Sequence, residues 1–180
     1  MVTIMVILYR SANRIPLSVR PTLYYTLIYP YLTYCNLIWP STYKSNLNRI
    51  VIIQKRAVRY IVNIPYGAHT GIYFQQLGLL NVDQIRRAQI GEFMFRHVHG
   101  LLPSIFKNFF SPSTVRHPYQ TRHVTPYVPP FAHTNTRLFA IRCTGPRLWN
   151  LLPPNIRSQP NVILFKNKLR LFLKDHVDQS

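Results

Sequence analysis

The sequence predicts a mainly α protein, a bundle of short helices followed by a small α+β extension with one short β-hairpin. Two observations lead there. Apolar residues recur at helical spacing in three stretches, Lys44 to about Asn63, Val82–His99 and Asn161 to about Asp175, each bounded by capping or breaking residues. Hydrophobic residues make up 47% of the 180, with twelve Tyr and ten Phe, which is enough apolar matter for a packed core.

Taken in order, Val2–Asn13 reads as the first helix, ending before Ile15-Pro16. Ser18 can cap a second that runs towards Ile28 and is stopped or kinked at Pro30. After Trp39-Pro40 comes the clearest helix, from Lys44, ended by Pro65. At 100° per residue, Leu47, Ile50, Val51, Gln54, Val58, Ile61 and Val62 share about a third of its circumference. Arg49, Arg56 and Arg59 gather opposite with Ile52 among them, and Lys55 lies at the edge. Thr70 caps a short helix to Leu77, with Gly78 as its C′ residue. Asn81 caps Val82–His99, which Gly100 and Pro103 close and whose apolar face is Val82, Ile90, Phe93, Met94 and Val98. Gly91 costs that helix about 1 kcal/mol relative to Ala, which suggests close packing against a neighbour. Ser104–Phe110 completes the bundle.

Residues 111–130 carry Pro112, Pro118, Pro126, Pro129 and Pro130 and no long apolar periodicity. They read as a linker or arm between a helical domain, 1–110, and an extension, 131–180. In the extension Phe131–His133 and Arg137–Cys143 can pair as strands around Thr134-Asn135-Thr136. Thr144-Gly145-Pro146 opens a helical turn carrying Trp149, which Pro153-Pro154 ends. The last helix stacks Val162, Phe165, Leu169, Phe172 and Leu173, with Lys166, Arg170 and Lys174 in a stripe beside them. No internal repeat is visible.

Charge bounds the function. Against 22 Lys and Arg stand four acidic residues, the first of them Asp83, for a formal charge of +18. Such a field attracts phosphate polyanions, nucleic acid foremost. Magnesium-dependent phosphoryl transfer needs clustered carboxylates, and none can be assembled before Asp83. Asp175 and Asp178 read as solvated ends. No phosphate loop, H-E-x-x-H or G-x-S-x-G motif is present. No catalytic residue, metal or cofactor is therefore expected. His97 and His99 would point about 200° apart on a helix, which is poor metal geometry. His117, His123 and His133, beside Arg116, Arg122 and Arg137, suit hydrogen bonding to phosphate or an ordinary loop equally.

Cys35 and Cys143 lie 108 positions apart and no N-x-Ser/Thr sequon occurs, which favours a reducing, intracellular setting. Met1–Tyr9 lacks the charged n-region and cleavage site of a signal peptide. The uncharged run Pro21–Tyr43 is long enough to span a bilayer, yet six tyrosines, Pro30 and Asn36 suit a buried helical hairpin better. The competing reading, a basic membrane-associated protein inserting that run, is separable by alkaline carbonate extraction.

The basic faces carry the functional argument. Arg49, Lys55, Arg56 and Arg59 have no acidic residue within twenty positions on either side. Like charges at helical spacing repel by roughly a few tenths of a kcal/mol per pair, and a polyanion removes that repulsion. The expected nucleic-acid contacts are these four with Lys166, Arg170 and Lys174. Tyr24, Tyr25, Tyr29, Tyr31 and Tyr34 can stack bases, or pack in the core with hydroxyls at the rim.

The linear order of these pieces resembles a known family. Leu23-Tyr-Tyr-Thr-Leu-Ile-Tyr-Pro-Tyr-Leu-Thr-Tyr-Cys-Asn-Leu-Ile-Trp39 is similar to the segment after the palm in reverse transcriptases of LINE-type (non-LTR, jockey-like) retrotransposons. Gln54-Lys-Arg-Ala-Val-Arg59 resembles the basic helix that follows there, and His69-Thr70, Gly145-Pro-Arg-Leu-Trp-Asn-Leu-Leu-Pro153 and Phe165-Lys-Asn-Lys-Leu-Arg170 resemble later stations in the same order. The resemblance implies a thumb-like helical domain and C-terminal extension of an RNA-directed DNA polymerase, gripping a template–primer duplex. Lys55, Arg56 and Arg59 would then contact backbone phosphates, and Gly145–Trp149 would form a structural corner. The chain departs from the family in lacking an adjacent Asp pair, a palm, fingers, an endonuclease and a Cys-rich knuckle, and Met1 falls inside what would be the first thumb helix. The expectation is a fragment inactive as a polymerase alone, with an RNA/DNA duplex and a palm and fingers from a longer chain as partners, or else a degenerate copy with no activity.

Overall fold

The computed structural model describes residues 6, 8–10, 14–40, 42–113 and 126–175. The chain is mainly α with one short antiparallel strand pair. It divides into two compact units, Met1–Asn36 with Tyr43–Ile85, and Leu37–Thr42 with Arg86–Ser180. The division thus falls inside a helix, near Ile85, and not in the Pro-rich stretch 111–130. The reason is where the side chains of 93–110 find partners, as described below.

In the first unit, α1 (Arg20–Leu23) starts with Pro21 in its first turn, where the missing N–H costs nothing. Ser18 does not cap it; Val19 holds that position without a side-chain hydrogen bond. The helix then widens to a π-turn at Tyr24–Ile28 and continues as α2 (Tyr29–Thr33). Pro30 explains the widening, since it cannot donate to an i−4 carbonyl and the Tyr29 N–H bonds Tyr24 O instead. Arg20, Tyr24, Ile28 and Leu32 are all buried. A four-residue spacing drifts about 40° per step on a regular α-helix, and the wide turn reduces that drift. The run Pro21–Tyr43 is not one helix, because Tyr34 turns to extended backbone after α2. Among the described residues no helix is long and apolar enough to cross a membrane.

The long helix α3 (Lys44–Val62) buries Gln54, Val58 and Ile61 from the expected face, with Ala57 and Tyr60 added, while Leu47, Ile50, Val51 and Val62 are half-buried. Gln54 is satisfied, its amide donating to the Tyr24 hydroxyl at 3.0 Å and to Leu80 O at 2.8 Å. α4 (Gly71–Gln76) follows; Thr70 precedes it but makes no side-chain cap bond, and Gly78 at φ +63° reverses the chain with Leu79 N donating to Phe74 O. α5 (Val82–Val98) opens with a reciprocal cap, in which Gln84 N donates to Asn81 Oδ1 and Asn81 N to Gln84 Oε1. Val82, Ile90 and Met94 of its expected face are buried and Phe93 half-buried, Val98 is exposed, and Ile85 and Phe95 join the core.

The second unit has its own apolar core of Met94, Phe95, Phe110, Trp149, Leu152, Ile156, Phe165, Leu169 and Leu173. Phe165 stacks on Phe95 at 4.5 Å and lies 5.8 Å from Trp149. This cluster draws the later turns of α5, with Phe109 and Phe110, towards the C-terminal helices. β1 (Ser111–Pro112) pairs antiparallel with β2 (Tyr127–Val128), Ser111 opposite Val128. The expected hairpin of Phe131–His133 and Arg137–Cys143 does not form. Thr134 instead caps α6 (Asn135–Phe139), accepting from Arg137 N, and α7 (Ile141–Leu151) begins within the second supposed strand. Thr-Asn-Thr is as much a helix-start signal as a turn signal, and the local cap prevails.

Thr144-Gly145-Pro146 likewise lies inside α7, with Gly145 and Pro146 buried. A Cβ on Gly145 would sit 2.9 Å from Met94 Sδ and 3.1 Å from Phe110 Cε1. α8 (Pro154–Arg157) leads to α9 (Val162–Asp175), whose first turn Asn161 caps through Ile163 N. α9 buries Phe165, Leu169 and Leu173 with Val162 and Phe172 half-buried, the face its periodicity indicates.

Candidate nucleic-acid interface

The basic flank of α3 is shaped by what ends the helix. Asn63 adopts the left-handed conformation at φ +57°, one of the few non-glycine residues suited to it, and its side chain accepts from Arg20 Nη1 at 3.2 Å. The chain reverses there, with Ile64 N donating to Arg59 O and Ala68 N to Pro65 O. Residues 64–68 therefore run back along the last turns of α3. Arg59 Nε donates to Ala68 O at 3.0 Å, and Arg56 Nη2 donates to the Tyr66 hydroxyl at 2.7 Å.

Tyr66 becomes the centre of a cationic cluster. The Arg56 and Arg59 guanidinium carbons lie 5.2 and 5.7 Å from its ring centroid, in cation–π range. Tyr66 is nonetheless 66% exposed as a residue. Tyr9 closes one side, its hydroxyl donating to Arg56 O at 3.0 Å, and burial raises its pKa against the opposing pull of Arg59 and Arg56. Among the described residues, hydrogen bonds engage only Nη2 of Arg56 and Nε of Arg59, so both Nη groups of Arg59 still have donors to offer.

Arg49 and Lys55 are exposed, and Arg56 and Arg59 half-buried. Arg49 and Arg56, seven apart, stand about 10 Å along one face. The α3 flank is thus an ordered cluster at its C-terminal end and an exposed cation two turns earlier, not a uniform polar face. No carboxylate residue precedes Asp83 in the chain to neutralise either part.

The second set belongs to the second unit. On α9, Arg170 is exposed and Lys174 half-buried. Lys166 is ion-paired, its Nζ 2.9 Å from Glu92 Oε1, the oxygen that also accepts from Arg96 Nη2 at 2.7 Å. One of the three stripe residues is therefore engaged in an ion pair that it shares with Arg96.

Other cations serve the fold. Arg20 is buried, donating to Tyr60 O and Ile15 O with its guanidinium 4.9 Å from the Tyr60 ring. Arg86 donates to Phe139 O at 2.7 Å, and Arg142 lies 5.6 Å from the Phe109 ring. Periodicity alone does not distinguish these from ligand-facing arginines. Tyr66 lies outside both the helical periodicity of α3 and the tyrosine run 24–34, and its signal in the sequence is its place just after Pro65, where the helix ends and the chain turns back. Of those tyrosines, Tyr24 is core, Tyr29 half-buried, and Tyr25, Tyr31 and Tyr34 are exposed.

The histidines are absorbed elsewhere. His97 stands edge-on to Phe110, and burial lowers its pKa. His99 stacks on Phe95 at 3.9 Å, and His133 lies against Phe131. His117, His123, Arg116 and Arg122 fall outside the described residues. Among the described residues no three His, Cys, Asp or Glu gather as a metal site would require. No protein-family model, curated protein or solved structure matches the chain.

Proposed function

We propose that this chain holds nucleic acid, as the thumb-like and post-thumb part of a non-LTR retrotransposon reverse transcriptase, without the carboxylates that polymerisation needs. The carrying observation is the Arg56–Tyr66–Arg59 cluster, with Arg49 two turns away, on a chain with no acidic residue before Asp83. Guanidinium donors that the fold leaves unused suit phosphate oxygens, and binding through them is tolerant of sequence. The order of motifs from Leu23 to Arg170 supports the polymerase half of the reading. A palm and fingers supplied by a longer chain would complete such an enzyme.

The test is binding of an RNA/DNA duplex as a function of salt. With about five engaged cations, log K falls against log salt with a slope of roughly −4. Replacing Arg49, Arg56 and Arg59 together by Gln weakens binding alike for all sequences. Unchanged affinity in that triple variant, or a slope near zero for the folded protein, defeats the proposal.

A further inference from the structure

From the same cluster we infer that Tyr66 is a stacking platform for an unpaired base, so that the chain prefers a duplex with a single-stranded overhang to a blunt one. This rests on the nucleic-acid reading above and makes it more specific. Three features of the ring carry it.

First, Tyr66 is a large aromatic on a loop, 66% exposed, whereas Tyr9, which also bonds Arg56, is 43% exposed and pinned by its hydrogen bond to Arg56 O. Second, its position is fixed. The left-handed turn at Asn63, the Ala68–Pro65 and Arg59–Ala68 bonds, and the 2.7 Å bond from Arg56 hold the loop against α3, so that little ordering remains to be done when a ligand arrives. Third, two guanidiniums lie within 6 Å of the ring centroid, with donors to spare on Arg59. The guanidiniums lie over the ring, so a base stacks on the part of it that they leave exposed while their donors meet the phosphate next to that base.

A paired base inside a duplex offers only its edge, because both faces are covered by its neighbours. A stacking ring can engage only an unpaired base or the last pair of an end. The cationic residues Arg49 and Lys55, exposed on the same helix, are left to follow the duplex backbone.

The experiment uses the full chain and two labelled RNA/DNA duplexes of equal paired length, one blunt and one with a short 5′ overhang carrying 2-aminopurine beside the junction. The wild type binds the overhang duplex about tenfold more tightly, within the range that one base–aromatic stack provides, and quenches the probe. Tyr66→Ala loses the quenching and brings the ratio of the two affinities to about one, whatever its effect on the blunt duplex. Tyr66→Phe, which keeps the ring and loses the hydrogen bond to Arg56, retains the quenching and the preference.

Equal wild-type affinity for the two duplexes overturns the inference and leaves the broader reading standing. So does a Tyr66→Ala loss that is equal for both, since Tyr66 then only positions Arg56. Absence of binding to either duplex defeats the nucleic-acid reading itself.

Discussion

Gly91 of α5 faces Leu169 of α9 so closely that a Cβ would lie 2.5 Å from Leu169 Cδ2. Gly91→Ala gains about 1 kcal/mol in helix propensity, but it must displace a buried leucine in a packed core, at a cost of roughly 1–3 kcal/mol. The expected net change is a loss of about 1 kcal/mol, read by urea denaturation. In a Leu169→Ala background the same substitution becomes stabilising, because the obstacle is gone. Stabilisation by Gly91→Ala in the wild type would show that the contact is loose.

Tyr24 gives the first unit a dependence on alkaline pH. Burial pushes its pKa up to about 12 from 10.0, against the lowering effect of the Gln54 amide. A raised folded-state pKa means that the native protein holds its proton where the unfolded chain has released it. The contribution is whole below pH 10 and declines as pH rises towards 12, by roughly 2–3 kcal/mol in total. Tyr24→Phe should remove this decline from a denaturation series taken between pH 9 and about 12. An unaltered slope would place the titration elsewhere.

Glu92 restrains two cations that ligand binding could use. Glu92→Gln frees Arg96 and Lys166, and since exposed pairs are worth about 0.2–1 kcal/mol each, the stability loss stays small. Duplex affinity should rise, and the salt slope should steepen by about one to two units if one or both cations then meet phosphate. Anisotropy titrations at three salt concentrations measure this. An unchanged slope would remove Lys166 from the interface.

Arg49 and Arg59 should separate binding from folding. Arg49→Gln is expected to make the salt slope shallower by about 0.9 with no shift in melting temperature, because that side chain is exposed. Arg59→Gln should reduce the slope similarly and also cost about 1 kcal/mol, through the lost bond to Ala68 O. Equal melting temperatures for both variants would mean that the 64–68 loop holds without that bond.

Helical spacing and punctuation made much of the architecture legible before the coordinates. The buried face of α9, the Asn81 cap, the reversals at Gly78 and Gly100 and the tight approach at Gly91 all follow from local residue chemistry. Sequence and structure part where one short motif serves two structures. Thr134-Asn135-Thr136 reads as a turn or a cap, and Gly145-Pro146 as a helix start, until the packing of Met94 and Phe110 on Gly145 decides. The candidate site was half visible: the arginines of α3 are in its periodicity, but their meeting with Tyr66 depends on a loop reversal that a helical wheel does not contain. Arg20 and Lys166 show the converse, charges that look free in one dimension and are engaged in three.

The short segment Leu37–Thr42 belongs with a unit whose remainder begins only at Arg86. No single cut yields both units whole, since a piece starting at Arg86 lacks that segment and a piece ending at Ile85 carries it without its companions. Isolating the units calls for rejoining segments, 1–36 to 43–85 and 37–42 to 86–180.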